Sequence, residues 1–368
     1  MSLTLFSYLA SRFLGMLGGT LTIVLALVFL IDLVEQLRRA SDSAAGLTQV
    51  LSLVVLHSLP VASVTFPFVF MLAAMACFAR LARSSELVVT RAAGLSAWRV
   101  LAPALICAVV LGLLAVTVIN PISAAMLQRF ETLEARYLRG QESLLSISRE
   151  GLWLRQASGD GQTVIRALRA DPSGGRLYDV TFFDFSRQNA LTGRIEAREA
   201  ALREGGWQLT DAQRWQFDRT ATAQPPRRER HQRYTVPTDL TRDRILESFA
   251  SPDAIGFWDL PEFIATLRAS GFSALRHEMH YQKELAKPLL FAAMVLLGAA
   301  FSMRHVRFGG IGMMLMGATL TGFGLFFISD ITQALGASGA IPTLIAAWVP
   351  PSAAALLATG LILHMEDG

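Results

Sequence analysis

The chain has 368 residues, of which 52% are hydrophobic and 17% are charged, and its formal net charge is +4. Soluble globular domains carry about 25% charged residues. The deficit here comes from long windows with almost no charge, which are typical of membrane-spanning helices and exclude an ordinary soluble domain.

Six apolar spans are predicted, with approximate limits 13–35, 52–80, 99–122, 286–303, 308–329 and 341–364. The first is too long for the apolar region of a signal peptide, and no small-residue cleavage site follows it, so we expect a retained first helix. The fifth, FGGIGMMLMGATLTGFGLFF, is rich in glycine. Small residues let helix backbones approach closely, so this span is expected to pack against another helix.

Four charged residues, Asp32, Glu35, Arg38 and Arg39, lie at the end of the first span. One interpretation is ordinary anchoring of a helix end, with the arginines reaching the membrane surface. The other is a basic contact for an anionic lipid head group, because a guanidinium binds phosphate through two parallel hydrogen bonds. Arg129 and Arg136, just beyond the third span, are expected at the same level.

The loop after the second span, RLARSSELVVTRAAGLSAWRV, predicts a short helix at about 84–94. Ser84 or Ser85 is expected to cap it, Glu86 suits its positive N-terminal end, and Gly94 supplies a left-handed residue at its C-terminal end. The residues that recur at helical spacing are Leu87, Val88, Arg91 and Leu95. The pattern fits an amphipathic helix on the membrane surface, and it equally fits a docking helix for a cytoplasmic partner.

The basic residues of the short loops predict the orientation. The loops at 80–99 and 304–307 carry arginines, whereas the loop at 330–340 has no basic residue. By the positive-inside rule, the first two loops and both termini are cytoplasmic. Arg38 and Arg39 oppose this count, because they fall on the outer side. In a membrane protein the net positive charge reflects the orientation of the chain in the membrane, so no nucleic-acid partner is expected.

The long polar stretch between the third and fourth spans has a different pattern. Segments such as RLYDVTFFDFSRQ and GRIEAREAALREGGWQLTD alternate polar and apolar residues and are bounded by DPSGG, LTG and REGG. They predict an outer β domain of the sandwich or jelly-roll type. Near its end, DLPEFIATLRASG predicts a short return helix that Asp259 caps and Gly271 ends. The predicted domains are 1–130 (three spans and the short helix), 131–277 (β-jelly-roll domain and return helix) and 278–368 (three spans).

No catalytic motif is found. Lys283 and Lys287 are the only lysines, so a phosphate-binding P-loop is excluded, and H-E-x-x-H, C-x-x-C and G-x-S-x-G are absent. His277 and His280 flank Glu278, but their spacing does not match a helical zinc pair, so a solvated cluster is expected there. The two cysteines, Cys77 and Cys107, lie in apolar runs and suggest neither a disulfide framework nor a metal cluster. We therefore expect a non-catalytic membrane protein without its own cofactor or metal.

At RSSELVVTRAAGLSAWRV the chain resembles the coupling segment of the lipopolysaccharide-export permeases, the LptF/LptG family. The resemblance extends over most of the chain through LIDLVEQLRRA, REGLWLR, SPDAIGFWDLPEFIATLRASG and KELAKPLLFAAMVLLGAAFSMR. EQLRRA, SELVV and GLW are closer to the LptG branch. Where some relatives carry a basic residue in the outer part of the first helix this chain has Asp32, so a lipid contact is not carried over to that position.

This resemblance implies six transmembrane helices with a periplasmic jelly-roll domain between the third and fourth, in the bacterial inner membrane. ATP and magnesium would be bound by a separate LptB-like ATPase dimer. The residues that would meet that ATPase are Glu86, Leu87, Val88, Arg91 and Gly94. An LptF-like paralogue would form a cavity with this chain between the first and fifth helices of each subunit.

The resemblance also implies the cargo and its route. Lipopolysaccharide would leave the outer leaflet of the inner membrane, with its phosphates on Arg38, Arg39 and Arg136 and with Arg129 nearby. LptC-like and LptA-like proteins would carry it onward across the periplasm. The sequence does not assign which aromatic residues of the β domain line a lipid groove and which are core.

Three other functions fit parts of the sequence. A secondary transporter would need ionisable residues or broken helices at mid-membrane, and the charges here lie at span ends. A receptor or scaffold would carry signalling domains inside, where only short loops are predicted. A permease for another lipid or lipoprotein would also use an external ATPase, but the quoted motifs favour the lipopolysaccharide-export family.

Overall fold

The structure is a computed structural model that describes residues 3–40, 46–134, 137, 145–148, 151–158, 161–170, 175–186, 188, 190–203, 205–217, 227–238, 251–269, 273–303 and 311–367. The chain divides into two compact units. One comprises residues 1–139, 252–258 and 275–368, and the other comprises 140–251 and 259–274. The first unit is helical and the second contains the β-sheet.

The helices are α1 (Leu3–Ala40), α2 (Leu47–Arg83), α3 (Glu86–Ala92), α4 (Ala97–Leu114), α5 (Asn120–Glu134), α6 (Leu260–Ala269), α7 (Leu275–Ser302), α8 (Ile311–Ala337) and α9 (Thr343–Asp367). A π-helical turn, Ala115–Ile119, joins α4 to α5, so that the two form one span. The described residues contain six spans long and apolar enough to cross a membrane. This confirms the predicted six transmembrane helices, although several helices continue beyond the predicted apolar limits.

Helix α7 lies at the centre of the helical unit, where it packs against α2, α4, α8 and α9. In their most apolar windows, 61% of α7 and 56% of α2 are buried, against 6% of α1 and 11% of α8. Helices α1 and α8 are therefore peripheral in this chain, and few of the residues in these windows are fully buried.

Two glycines bring the backbones of the central helices together. A Cβ atom on Gly298 of α7 would lie 2.5 Å from the carbonyl oxygen of Met71 in α2. A Cβ atom on Gly112 of α4 would lie 2.6 Å from the Cα atom of Pro288 in α7. Only a residue without a side chain fits at either contact, as is common where membrane helices pack closely.

The π-helical turn anchors the chain segment that returns to the helical unit. Asn120, the first residue of α5, accepts a hydrogen bond through Oδ1 from the backbone N–H of Phe257 (2.8 Å). The indole of Trp258 donates to the carbonyl oxygen of Thr117, within the π-helical turn, at 3.1 Å. A π-helical turn widens the helix and changes which carbonyls are paired, so it can offer an acceptor to another segment.

The second unit contains one seven-stranded antiparallel sheet in which each strand pairs with the next along the chain. Its strands are β1 (Leu145–Ser148), β2 (Gly151–Ser158), β3 (Gly161–Ala170), β4 (Arg176–Ser186), β5 (Leu191–Arg203), β6 (Gly206–Gln216) and β7 (Arg227–Pro237). The predicted all-β insertion is confirmed, and the strand order is that of a meander.

One face of the sheet is an apolar core. Leu154, Ile165, Phe182 and Ile195 follow one another directly across β2 to β5, and none is more than 2% exposed. Trp207 of β6 is also fully buried. Directly paired residues on one face are the unit of sheet stabilisation, so Phe182 and Trp207 are core residues.

The opposite face carries partly exposed aromatic rings interleaved with arginines. Arg194 lies over the rings of Phe183 and Trp215, at 5.8 and 5.6 Å from their centroids. Arg228 covers the ring of Trp215 from the next strand at 5.8 Å. These cation–π contacts stabilise the sheet on a face where the aromatic rings are only partly buried.

The predicted return helix corresponds to α6. Asp259 precedes it, and the carbonyl oxygen of Asp259 accepts the first helical hydrogen bond from the N–H of Phe263 (3.0 Å). Ile264 and Leu267 are buried on one face, as the spacing predicts. Gly271, the predicted end, lies outside the described residues.

We expect Gly298→Ala to lower the stability of the protein by about 1–3 kcal/mol, because the added methyl overpacks the contact between α7 and α2. The matched control is Gly360→Ala in α9, where a Cβ atom would meet no atom within 4 Å. Thermal unfolding of both variants in the same detergent measures the difference. Equal melting temperatures for the two variants would contradict the close contact.

Candidate functional site

Helix α3 ends as its sequence predicts. Gly94 adopts a φ of +77°, its N–H bonds to the carbonyl of Arg91 (2.9 Å), and the N–H of Leu95 bonds to the carbonyl of Thr90 (3.2 Å). These two bonds form a Schellman motif, in which the left-handed residue closes the helix and satisfies its last carbonyls. The predicted left-handed glycine is confirmed.

The predicted serine cap of α3 is wrong. Ser85 precedes the helix with φ +61° and ψ +6°, and its side chain makes no capping hydrogen bond. An N-cap side chain reaches the free N–H groups from an extended backbone, which this left-handed conformation does not provide. Ser84 instead donates its hydroxyl to Oε1 of Glu86 at 2.9 Å.

The two sides of α3 differ in their surroundings. Leu87 is 7% exposed and belongs to the hydrophobic core of the chain's own helices. Val88 and Val89 are 58% and 66% exposed. The structure therefore leaves Val88 and Val89 open to a partner, and Val89 is a residue that the sequence analysis missed. Arg91 is half-buried and Gly94 is exposed, and a coupling role for these residues stays a prediction.

The carboxylate of Glu86 is held by the first helix. The hydroxyl of Tyr8 donates to Oε2 of Glu86 at 2.9 Å. Nε of Arg12, one turn further along α1, donates to the Tyr8 hydroxyl at 3.1 Å, and its guanidinium lies 5.1 Å from the centre of the Tyr8 ring. The sequence analysis missed this contact. The available signal was a tyrosine and an arginine four residues apart, which are neighbours on one face of a helix.

The C-terminal end of α1 carries a small ion-pair network. Glu35 binds Arg38 through two hydrogen bonds of 2.8 and 2.9 Å, and it also accepts one from Arg39 at 2.8 Å. Arg39 reaches Glu134 of α5 at 3.2 Å. The Arg38 side chain is 73% exposed, so its guanidinium keeps an accessible side.

The other two predicted lipid-binding arginines lie on or after α5. Arg129 is exposed on α5. Arg136 lies outside the described residues. The structure therefore brings Arg38 and Arg39 together with Glu35 and Glu134, and it does not place Arg136.

A buried polar cluster joins α1 to α2 next to that network. Asp32 is 7% exposed and its Oδ1 lies 2.8 Å from Nδ1 of His57. Gln36, 1% exposed, donates to the same oxygen at 3.4 Å. The imidazole of His57 stacks on Phe130 of α5, with centroids 4.3 Å apart. Within the described residues, Oδ2 of Asp32 has no hydrogen-bond partner. Asp32 thus points into the protein, where a carboxylate is costly unless it is paired.

The start of α7 contains a second buried polar cluster, and the predicted solvated surface at His277 and His280 is wrong. These histidines are 5% and 8% exposed. His280 Nδ1 lies 3.3 Å from Asp253, and Glu284, 2% exposed, pairs with Lys287 at 2.5 Å. The physical reason is tertiary packing, because this part of α7 is covered by the segment around Asp253 and by α9.

The sequence matches the family described as "Lipopolysaccharide export system permease LptF/LptG" over residues 7–364. It is 24% identical over 356 residues to the lipopolysaccharide export system permease protein LptG of Escherichia coli (strain K12), and 94% of each chain is covered. It is also 24% identical over 352 residues to the protein of the same name from Haemophilus influenzae (strain ATCC 51907 / DSM 11121 / KW20 / Rd), again over 94% of each chain.

We expect His57→Leu to destabilise the protein by about 3 kcal/mol, because it leaves Asp32 buried without its partner. The double variant Asp32→Leu, His57→Leu removes both polar groups and is expected to be closer to the wild type in stability than His57→Leu alone. Thermal unfolding in detergent at constant pH compares the three proteins. Additive losses in the double variant would contradict a coupled pair.

Proposed function

This chain belongs to the LptF/LptG family of lipopolysaccharide export system permeases, and we propose that it is the membrane subunit that moves lipopolysaccharide from the outer leaflet of the bacterial inner membrane to a periplasmic bridge. The observation that carries the proposal is the family match from residue 7 to residue 364, which includes α3 and the outer end of α1. The membrane subunit itself is not an enzyme in this proposal.

The energy source is a separate LptB-like ATPase dimer that binds ATP and magnesium. The sequence has no lysine before Lys283 and hence no P-loop of its own. Helix α3 is a suitable contact for such a subunit, because Val88 and Val89 are exposed beside the carboxylate of Glu86. An exposed apolar pair next to a charge is typical of a helix that docks into a groove.

The lipid head group is bound at the outer end of α1. Arg38 is the most accessible cation of the network, and Glu35 holds its guanidinium in a fixed orientation. Arginine suits a phosphate of lipopolysaccharide because its planar donors match the phosphate oxygens. Arg39, Arg129 and Arg136 complete the proposed contact set.

An LptF-like paralogue covers the peripheral helices. Few residues in the most apolar windows of α1 and α8 are fully buried in this chain. The exposed apolar residues of these helices include Leu27, Leu30, Val34, Leu320, Phe323 and Phe327. Their proposed role is to line a cavity shared by the two permeases, in which acyl chains are sheltered from water.

The β-sheet unit lies in the periplasm in this proposal and passes the lipid to LptC-like and LptA-like proteins. Long domains are translocated regardless of their charge, so its many arginines do not oppose this location. Phe182 and Trp207 are core residues of the sheet, and other apolar residues would therefore contact the acyl chains.

A secondary transporter is the second candidate, and a specific observation favours it. Asp32 and Glu284 are buried carboxylates in helices of the membrane spans, and their partners, His57 and Lys287, are ionisable and partly buried. Such pairs are typical of proton-coupled transport. The two candidates differ in their energy requirement, since only the first needs a bound ATPase for lipid release. The family match favours the first, and it also favours lipopolysaccharide over the cargo of other lipid or lipoprotein exporters.

We expect Glu86→Ala together with Val89→Ser to reduce recovery of the ATPase when the chain is purified through a tag with its genomic partners. The physical reason is the loss of both the carboxylate and the exposed apolar contact of α3. Thr90→Ser is the matched control, because it keeps the hydroxyl that donates to the carbonyl of Leu87 (2.9 Å) within the same helix. Undiminished ATPase recovery with the double variant would refute the docking role.

We expect Arg38→Ala with Arg39→Ala to lower photo-crosslinking of lipopolysaccharide to the permease several-fold, because two phosphate contacts are lost. The charge-preserving pair Arg38→Lys and Arg39→Lys is the control, and it is expected to retain part of the crosslinking. If the alanine variant crosslinks as well as the wild type, the two arginines serve as membrane anchors.

A further inference from the structure

The two proposed contact regions of this chain lie at opposite ends of one helix. Tyr8, near the start of α1, binds Glu86 of α3, and Glu35, near its end, binds Arg38 and Arg39. At 1.5 Å per residue the helix between Tyr8 and Glu35 is about 40 Å long, which exceeds the roughly 30 Å hydrocarbon core of a membrane. No proline interrupts α1, whereas α2, α4, α7 and α9 each contain one or more.

The fully buried side chains of helix α1 lie near its two ends. Its buried residues are Leu9, Phe13 and Leu17 in the first half and Asp32, Gln36 and Ala40 in the second. Between Leu17 and Asp32 no side chain of α1 is fully buried, although Leu21 and Val28 are among several that pack partly buried against the core of the helical unit. The helix is continuous from one end to the other, so a displacement at one end can pass along it to the other end.

The contact between α3 and α1 consists of hydrogen bonds among a small number of side chains. Both carboxylate oxygens of Glu86 accept hydrogen bonds, one from Tyr8 and one from Ser84. Ser84 belongs to the segment that precedes α3, so the Tyr8 hydroxyl is the donor that comes from another helix. Arg12 donates to the same hydroxyl and fixes its direction, since a phenol that accepts from a guanidinium is left to donate to the carboxylate.

We propose that Tyr8 is a positioning residue that transmits the movement of α3 to α1, and through α1 to the arginines at its outer end. This inference rests on the proposed function, in which an ATPase moves α3. In that role the Tyr8 hydroxyl neither binds the ATPase nor touches the lipid. It links the ATP-driven movement to the lipid site, so its loss separates ATP hydrolysis from lipid release.

The test is Tyr8→Phe, which removes the hydroxyl and keeps the ring. The complete complex with its ATPase and paralogue is reconstituted in vesicles with lipopolysaccharide, and three quantities are measured: ATPase recovery, ATP hydrolysis, and lipopolysaccharide released to a periplasmic acceptor. We expect ATPase recovery and ATP hydrolysis near wild type. We expect the lipid released per ATP to fall roughly tenfold or more, as for loss of a hydrogen bond to a charged group. Ser11→Ala is the matched control, because that hydroxyl donates to the backbone carbonyl of Tyr8 (2.8 Å) within α1.

A double variant, Tyr8→Phe with Glu86→Gln, tests whether the two residues act through one contact. If they do, the double variant releases no less lipid per ATP than the single variant with the larger defect. If Tyr8→Phe reduces the yield of folded protein, Arg12→Gln is tested in its place. It removes the hydrogen bond that orients the Tyr8 hydroxyl, and it is expected to lower the lipid released per ATP as well.

Other results would overturn the inference. A wild-type ratio of lipid to ATP in a folded Tyr8→Phe or Arg12→Gln complex would leave the proposed function in place and reject the link. Loss of ATPase recovery in Tyr8→Phe would make Tyr8 part of the docking surface instead of the link. A wild-type complex that binds no ATPase or releases no lipid would reject the proposed function and the inference together.

Discussion

The close approach of α7 to α2 and α4 is the contact on which the helical unit depends. Apolar helices in a membrane gain little from the hydrophobic effect when they meet, so packing at short range has to hold them together. Gly298 and Gly112 allow this close approach, because each faces the backbone of a neighbouring helix at a distance that leaves no room for a side chain. With α7 in the centre, α1 and α8 are left at the periphery, where their apolar surfaces remain available.

The peripheral position of α1 gives its polar residues an unusual arrangement. Helix α1 is fully buried only near its two ends, and its middle is partly buried against the core of the helical unit. Each buried end lies next to a charged group of another helix, Glu86 of α3 at one end and Glu134 of α5 at the other. The same helix therefore contacts the segment proposed to dock an ATPase and carries the arginines proposed to bind a lipid head group. This arrangement is the physical basis for proposing a role in coupling.

Two buried carboxylates of the helical unit are each paired with an ionisable side chain. Asp32 lies against His57, and Glu284 against Lys287, so that each buried carboxylate has a partner within reach. Burial of an unpaired charge costs several kcal/mol, which explains why these residues occur as pairs. The Asp32 pair also explains why an acidic residue at this point of α1 is compatible with the nearby arginines, because the carboxylate is turned into the protein while Arg38 is exposed.

The sequence by itself determined the six spans, the all-β insertion and the end of α3 at Gly94. Each depends on a local property, namely the hydrophobicity of a window, the alternation of a strand or the φ that glycine permits. Only the tertiary structure decided that Asp32 meets His57, 25 residues away, that Tyr8 meets Glu86, 78 residues away, and that the histidines of α7 are buried. Such contacts depend on how each helix is rotated and on which neighbour covers it, and neither is encoded in the spacing of residues along one helix.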